Sequence, residues 1–235
     1  MATFILVHGA YHGGWCWRDV VPVLRSQGHQ VFHPSLTGMG DRSHLSNPET
    51  SLDTHIDDIG NLILFEDLQD VILVGHSYAG VVIGGVADRL PERSRGLAFV
   101  DALIPRDGFS VLDFQTPERA DYLRARAAEN DGWRLPPISA EFYGVEDSAD
   151  AAWVNDKCVG QPLATFTQVQ NVTGDWEKVL NKIYIRCTQS GLDYMDQFSE
   201  QALADENWTV HYLPTGHDCM VTAPHQLAAL LMTIV

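Results

Sequence analysis

The run Val71-Ile72-Leu73-Val74-Gly75-His76-Ser77-Tyr78-Ala79-Gly80 decides the fold. Its first four residues are apolar at every position, as expected of a strand buried on both faces of a parallel sheet. Gly-x-Ser-x follows, and small residues then open a helical pattern over Tyr78–Arg89. A serine on so sharp a strand-to-helix turn needs small neighbours, here Gly75 and Ala79, or strand and helix would collide. The helix N-terminus beneath it favours developing negative charge. Ser77 is therefore the candidate nucleophile. A Ser pentapeptide alone recurs by chance; its position after this strand and before this helix makes it specific.

Outward from this run, short apolar segments alternate with amphipathic ones. Strands are expected at Thr3–His8, His29–Pro34, Asp70–Gly75, Gly96–Asp101, Lys182–Cys187 and Thr209–Leu213. Helices are expected near Trp17–Gln27, Leu52–Phe65, Tyr78–Arg89, Phe198–Asp205 and Pro224–Thr233. The alternation predicts an α/β protein, a doubly wound, mostly parallel six-stranded sheet with helices on both faces. The 235 residues suit one domain spanning 1–235. Between residues 102 and 181 the rhythm stops, and scattered aromatics appear: Phe109, Phe114, Tyr122, Trp133, Phe142, Tyr143, Trp153 and Phe166. An insertion of that length after the fourth strand reads as a helical lid or an extra packing layer, with the lid preferred.

Two further segments supply partners for the serine. Val7-His8-Gly9-Ala10-Tyr11-His12-Gly13-Gly14-Trp15 ends the first strand in a glycine-rich loop able to turn backbone N–H groups toward Ser77. Acyl transfer needs two donors where the oxyanion develops, and the amides of Ala10 and Tyr78 are the candidates. No GxGxxG or GKS/T pattern supports a phosphate-binding reading of that loop. Pro214-Thr215-Gly216-His217-Asp218 lies beyond the last strand. A serine hydroxyl needs a base, and His217 occupies the place that the chain order serine, acid, histidine gives it. His8, His12, His76, His211 and His225 read as structural or surface residues.

Together the stretches VHGAYHGGWCW, Thr37-Gly38-Met39-Gly40-Asp41-Arg42-Ser43, GHSYAG, KIYIRCT and PTGHD resemble the α/β-hydrolase superfamily over nearly the whole chain. Within it the chain is similar to the plant methylesterase and hydroxynitrile lyase branch and its bacterial esterase relatives. The resemblance implies cofactor-free ester chemistry. The lyases carry threonine in place of Gly9 and lysine in place of Asp218, so both lyase markers are missing. Plant relatives place the acid soon after the strand Lys182–Cys187, where this chain has Ser190. Asp101 closes the preceding strand, where those relatives have a small residue. The loss of one carboxylate beside the gain of another points to Asp101 as the relocated acid, with Asp193 as runner-up and a turn-capping Asp101 as the bland alternative.

The expected function is hydrolysis of a small alkyl or aryl carboxylic ester through an acyl-enzyme. Trp15, Trp133 and Trp153 are expected to line an apolar acyl pocket. A lyase, thioesterase or cyclase, and a non-catalytic ligand-binding receptor, are the alternatives. With 15 Lys and Arg against 31 Asp and Glu, a formal charge of -16 disfavours nucleic acid and anionic membranes as partners. No metal-ligand spacing appears and none of the four cysteines has CxxC partners, so neither metal nor cofactor is expected. The N-terminus lacks a signal-peptide pattern, which predicts a cytoplasmic protein with a small-molecule ester as partner and homodimerisation left open.

Overall fold

The computed structural model describes residues 1–235. Its main sheet is built from β1 (Thr3–Val7), β2 (Gln30–Phe32), β3 (Val71–His76) and β4 (Ser94–Val100). A short two-stranded ribbon follows, β5 (Arg134–Leu135) and β6 (Gln161–Pro162), and then β7 (Asn181–Cys187) and β8 (Trp208–Leu213) complete the sheet. The order is β2-β1-β3-β4-β7-β8, and every pairing in it is parallel. The helices are α1 (Val20–Ser26), α2 (Leu52–Phe65), α3 (Ala79–Arg89), α4 (Pro117–Asn130), α5 (Ser148–Lys157), α6 (Ala164–Thr167), α7 (Asp196–Leu203), α8 (Cys219–Thr222) and α9 (Pro224–Leu231). None of them is long and apolar enough to cross a membrane.

Successive residues of a strand face opposite sides of the sheet. Ile5, Val7, Leu73, Leu97, Phe99 and Tyr184 enter one core, which α2, α3 and α7 cover. Phe4, Leu6, Ile72, Val74, Ala98, Val100, Ile183 and Ile185 enter the other, against α1 and α9. Both faces are dry, which is why the strand sequences run apolar without alternation. Local signals set the helix starts: Ser51 and Thr54 form a capping box on α2, and Thr116 caps α4 ahead of Pro117.

The topology decides where a site can form. From β1 the chain steps outward to β2, then returns across β1 to β3 and continues the other way. The loops leaving β1 and β3 therefore diverge at the carboxyl edge, the crevice where open parallel sheets bind ligands. Ala10 follows β1 and Ser77 follows β3, so the two stand on either side of this switch point. Between β4 and β7 the segment 102–181 folds into α4, α5, α6 and the β5–β6 ribbon. It is not a separate layer: Val111, Leu112, Ala120, Leu123 and Phe166 join the same core as β3 and α3.

Candidate active site

Ser77 occupies a left-handed backbone conformation with φ of 55°, a strained state for a residue with a Cβ. Neighbouring backbone over-determines it. Its N–H donates to Val100 O at 3.1 Å and its carbonyl accepts from Leu103 N at 3.1 Å, tying the turn to the end of β4. A Cβ on Gly75 would stand 2.6 Å from Ala79 O, so only glycine lets α3 approach β3 this closely.

His217 is buried, and its Nδ1 lies 2.7 Å from Asp101 Oδ2. Nδ1–H donating to that carboxylate leaves Nε2 as the unprotonated nitrogen available to a hydroxyl. Ser77 and His217 line one cavity, and no hydrogen bond is closed between them in this state. Asp101 is fully buried and, like Ser77, has a positive φ, 43°. Its other oxygen, Oδ1, accepts from Arg186 Nη1 at 2.8 Å and from the backbone N–H of Cys187 at 3.1 Å. Asp193 sits exposed on the cavity wall, and Ser190, in the place of the plant acid, instead accepts a hydrogen bond from Arg186 at 2.7 Å.

The backbone N–H groups of Ala10 and Tyr78 both edge this cavity, and neither donates to any protein group. Backbone donors of half-buried and buried residues are ordinarily paired. Two free donors flanking Ser77 are therefore placed for an oxygen of a bound molecule. The loop carrying Ala10 is fixed by two buried histidines. His8 Nδ1–H donates to Gly9 O at 2.8 Å while its Nε2 accepts from Leu36 N at 3.1 Å, and burial pushes its pKa down to about 3, so the ring is neutral. His12 Nδ1–H donates to Ala10 O at 2.8 Å, and its Nε2 meets Asp218 Oδ2 at 3.1 Å.

The His12–Asp218 pair is buried on both sides. Burial works against the His12 charge, but Asp218 outweighs it and raises the imidazole above its ordinary value. Burial likewise raises Asp218, and His12, His76 and His217 together bring it below the usual carboxylate range. The pair is thus an ion pair in the folded state. Its contribution is fully present between the unfolded carboxylate's value of about 3.9 and the unfolded imidazole's value of about 6.5. It fades as pH falls through the depressed Asp218 value or rises through the elevated His12 value. Asp218→Asn should destabilise by about 3–5 kcal/mol near pH 5.5, with a smaller loss at pH 9, as read from denaturant midpoints.

The cavity has a volume of about 570 Å³ and a mainly apolar wall. Half of its 22 lining residues come from the 102–181 segment, among them Phe114, Phe142, Tyr143 and Phe166. The expectation for tryptophan is corrected: Trp15, Trp133 and Trp153 do not line it. Trp15 and Trp153 pack edge to face at 5.0 Å on the opposite core, where Arg18 lies over the Trp153 ring at 3.5 Å. Trp133 stands beside Arg134, with 4.6 Å from the guanidinium carbon to the ring centre. Sequence reasoning also passed over Arg186. The signal was present, since a lone arginine in the buried run Ile183-Tyr184-Ile185-Arg186-Cys187 requires a buried counter-charge.

The alpha/beta hydrolase family model matches residues 4–230. The carbendazim hydrolyzing esterase of Nocardioides sp. (strain SG-4G) is 40% identical over 243 residues, covering 100% of each chain. Methyl jasmonate esterase 1 of Vitis vinifera is 27% identical, covering 99% of this chain and 96% of its own. Among solved structures, an extracellular alpha/beta-hydrolase from a Paenibacillus species superimposes with a TM-score of 0.89 at 22% identity, covering 100% of this chain and 99% of that one. At that identity the likeness is one of fold.

Proposed function

This chain belongs to the alpha/beta hydrolase family, and from that premise we propose that it is a serine esterase cleaving small alkyl or aryl carboxylic esters. One observation carries the reading. A strained Ser77, a His217 held by Asp101 and two unpaired backbone donors converge on a single apolar cavity. The 102–181 segment acts as the lid that excludes water from it.

In the proposed reaction Ser77 Oγ attacks the ester carbonyl carbon as His217 Nε2 takes its proton. The carbonyl oxygen becomes an oxyanion held by the amides of Ala10 and Tyr78. The tetrahedral adduct collapses, the ester C–O bond breaks, and the alcohol leaves with the proton from His217. Water then adds to the acyl-enzyme, giving one proton to His217, which returns it to Ser77 as the acid departs. Asp101 keeps Nδ1 protonated and stabilises the imidazolium that forms twice per cycle.

A cyanohydrin-cleaving reading is disfavoured by the wall beside Ser77. A Cβ on Gly9 would lie 2.7 Å from His76 Nδ1 and 3.1 Å from Ser77 Cβ, so the lyases' threonine has no room here. Asp218, in the place of their lysine, is engaged with His12. The test is a panel of p-nitrophenyl acyl esters, aryl methyl esters, carbendazim, thioesters and cyanohydrins, run beside fluorophosphonate labelling. Oxygen-ester turnover with label on Ser77 is expected. Turnover of thioesters or cyanohydrins alone, or folded protein that takes no label, would overturn the proposal.

A further inference from the structure

Arg186 is the one residue whose guanidinium touches Asp101, and every nitrogen of that guanidinium is engaged. Nη1 reaches Asp101 Oδ1 at 2.8 Å and Ser190 Oγ at 2.7 Å, and it also contacts Cys187 O. Nη2 donates to Leu192 O at 3.2 Å, and Nε donates to Asp196 Oδ1 at 2.8 Å. The side chain is 6% exposed and Asp101 is 0% exposed, so the pair is screened little by solvent. Five acceptors from the turn after β4, the end of β7, the following loop and the start of α7 fix the planar fork in one orientation. A lysine could not reproduce that pattern.

A permanent cation directly behind the carboxylate is chemically consequential. Asp101 serves two donors on opposite oxygens, the Arg186 cation on Oδ1 and His217 Nδ1–H on Oδ2. Whatever negative charge Arg186 compensates is not available to the imidazolium that forms on His217 during proton transfer. The serine at position 190 completes the arrangement. A carboxylate there would draw the guanidinium away from Asp101, whereas the neutral hydroxyl accepts one bond and leaves the charge facing β4.

We propose that Arg186 is a positioning residue for Asp101, holding its Oδ1 so that Oδ2 faces His217 Nδ1, and sharing the carboxylate's charge. The inference rests on the serine-esterase reading above. Burial opposes the guanidinium's charge, but Asp101 and Asp196 more than offset it, so Arg186 stays protonated across the working range. The charged and titratable neighbours that bear on the test are few. His217 faces Asp101, the Tyr143 ring at 5.3 Å and the His76 ring at 4.5 Å, with Asp218 next in the chain. Arg186 faces Asp101, Asp196, Ser190 and Cys187, and the Tyr184 and Tyr194 phenols lie within the field of both Arg186 and Asp101.

The test compares Arg186→Gln and Arg186→Lys with the wild type on a p-nitrophenyl ester, with kcat and KM separated and folding verified by circular dichroism. In Arg186→Gln the acid limb of the kcat/KM profile should move up by about one pH unit, because Asp101 then directs its full charge at His217. In Arg186→Lys the limb should stay in place while kcat falls about tenfold at unchanged KM, because charge is kept and the fork is lost. Either folded variant showing wild-type kcat and a superimposable profile would overturn the inference. If Arg186→Gln does not fold, Arg186→Lys decides alone. A parallel Ser77→Ala enzyme separates the two levels. If it keeps full activity, the esterase reading itself has failed. If it is inactive while the Arg186 variants behave as wild type, only the role of Arg186 has failed.

Discussion

Ser77→Ala should lower kcat on a p-nitrophenyl ester by about 10⁶-fold, to the residual rate that binding and oxyanion stabilisation give without a nucleophile. The size follows from what the side chain does alone. Alanine keeps the cavity, the His217–Asp101 hydrogen bond and the Ala10 and Tyr78 donors, so substrate still binds and KM changes little. No covalent path remains, because alanine carries no hydroxyl for His217 to activate. The fold should survive and gain slightly. The turn at φ 55° holds a strained residue, and its backbone bonds to Val100 and Leu103 are independent of the hydroxyl. Unchanged or raised Tm with kcat near background, and no fluorophosphonate label, is the expected set. Activity at the wild-type level would mean that the chemistry runs elsewhere.

Much of this arrangement was legible in the sequence, because its physical causes are local. The all-apolar runs gave six strands within a few residues, since burial on both faces removes alternation. Leu52–Phe65 matches its expected bounds at both ends, and the capping box of Ser51 and Thr54 supplies the physical cause of its start. Ser77 and His217 stood out by position relative to strands. Asp101 was singled out by a substitution pattern against Ser190, and its hydrogen bond of 2.7 Å to His217 Nδ1 is a contact across 116 residues that no window shows.

The cavity wall was not legible. Trp15 and Trp153 are aromatic and near the right motifs, yet they face the opposite core, because the face a loop residue takes depends on the loop's path and not on its composition. Conversely Tyr194 and Met195 line the cavity from a loop that carries no motif. If Asp101 serves as the acid at the end of β4, as proposed, that loop needs no carboxylate and its residues are free to form the wall. Arg186 was legible in principle, as an unpaired charge in a buried strand, but its partner could be named only after β4 and β7 were seen side by side.

Asp101→Asn should lower kcat by about 10⁴-fold, the second largest effect, and the geometry gives the reason. The asparagine has one acceptor oxygen and one amide nitrogen. Arg186 Nη1 and the Cys187 N–H both donate to the Oδ1 side, so the oxygen is held there and the NH₂ faces His217. His217 Nδ1 must then accept, which puts the ring proton on Nε2, where it points at the serine hydroxyl and cannot take its proton. The loss is therefore one of tautomer as well as of charge, and raising the pH should not restore it. Stability should fall too, by about 3–5 kcal/mol, because Arg186 keeps only the 57%-exposed Asp196 as counter-charge in a buried site. Asp193→Asn is the control for the rival acid: an exposed residue on the cavity wall, its substitution should act on KM and cost far less in kcat. A near-normal kcat for Asp101→Asn beside a 10⁴-fold loss for Asp193→Asn would reverse the assignment. Both losses are read from the same p-nitrophenyl ester assay, so one pair of enzymes settles which carboxylate serves His217.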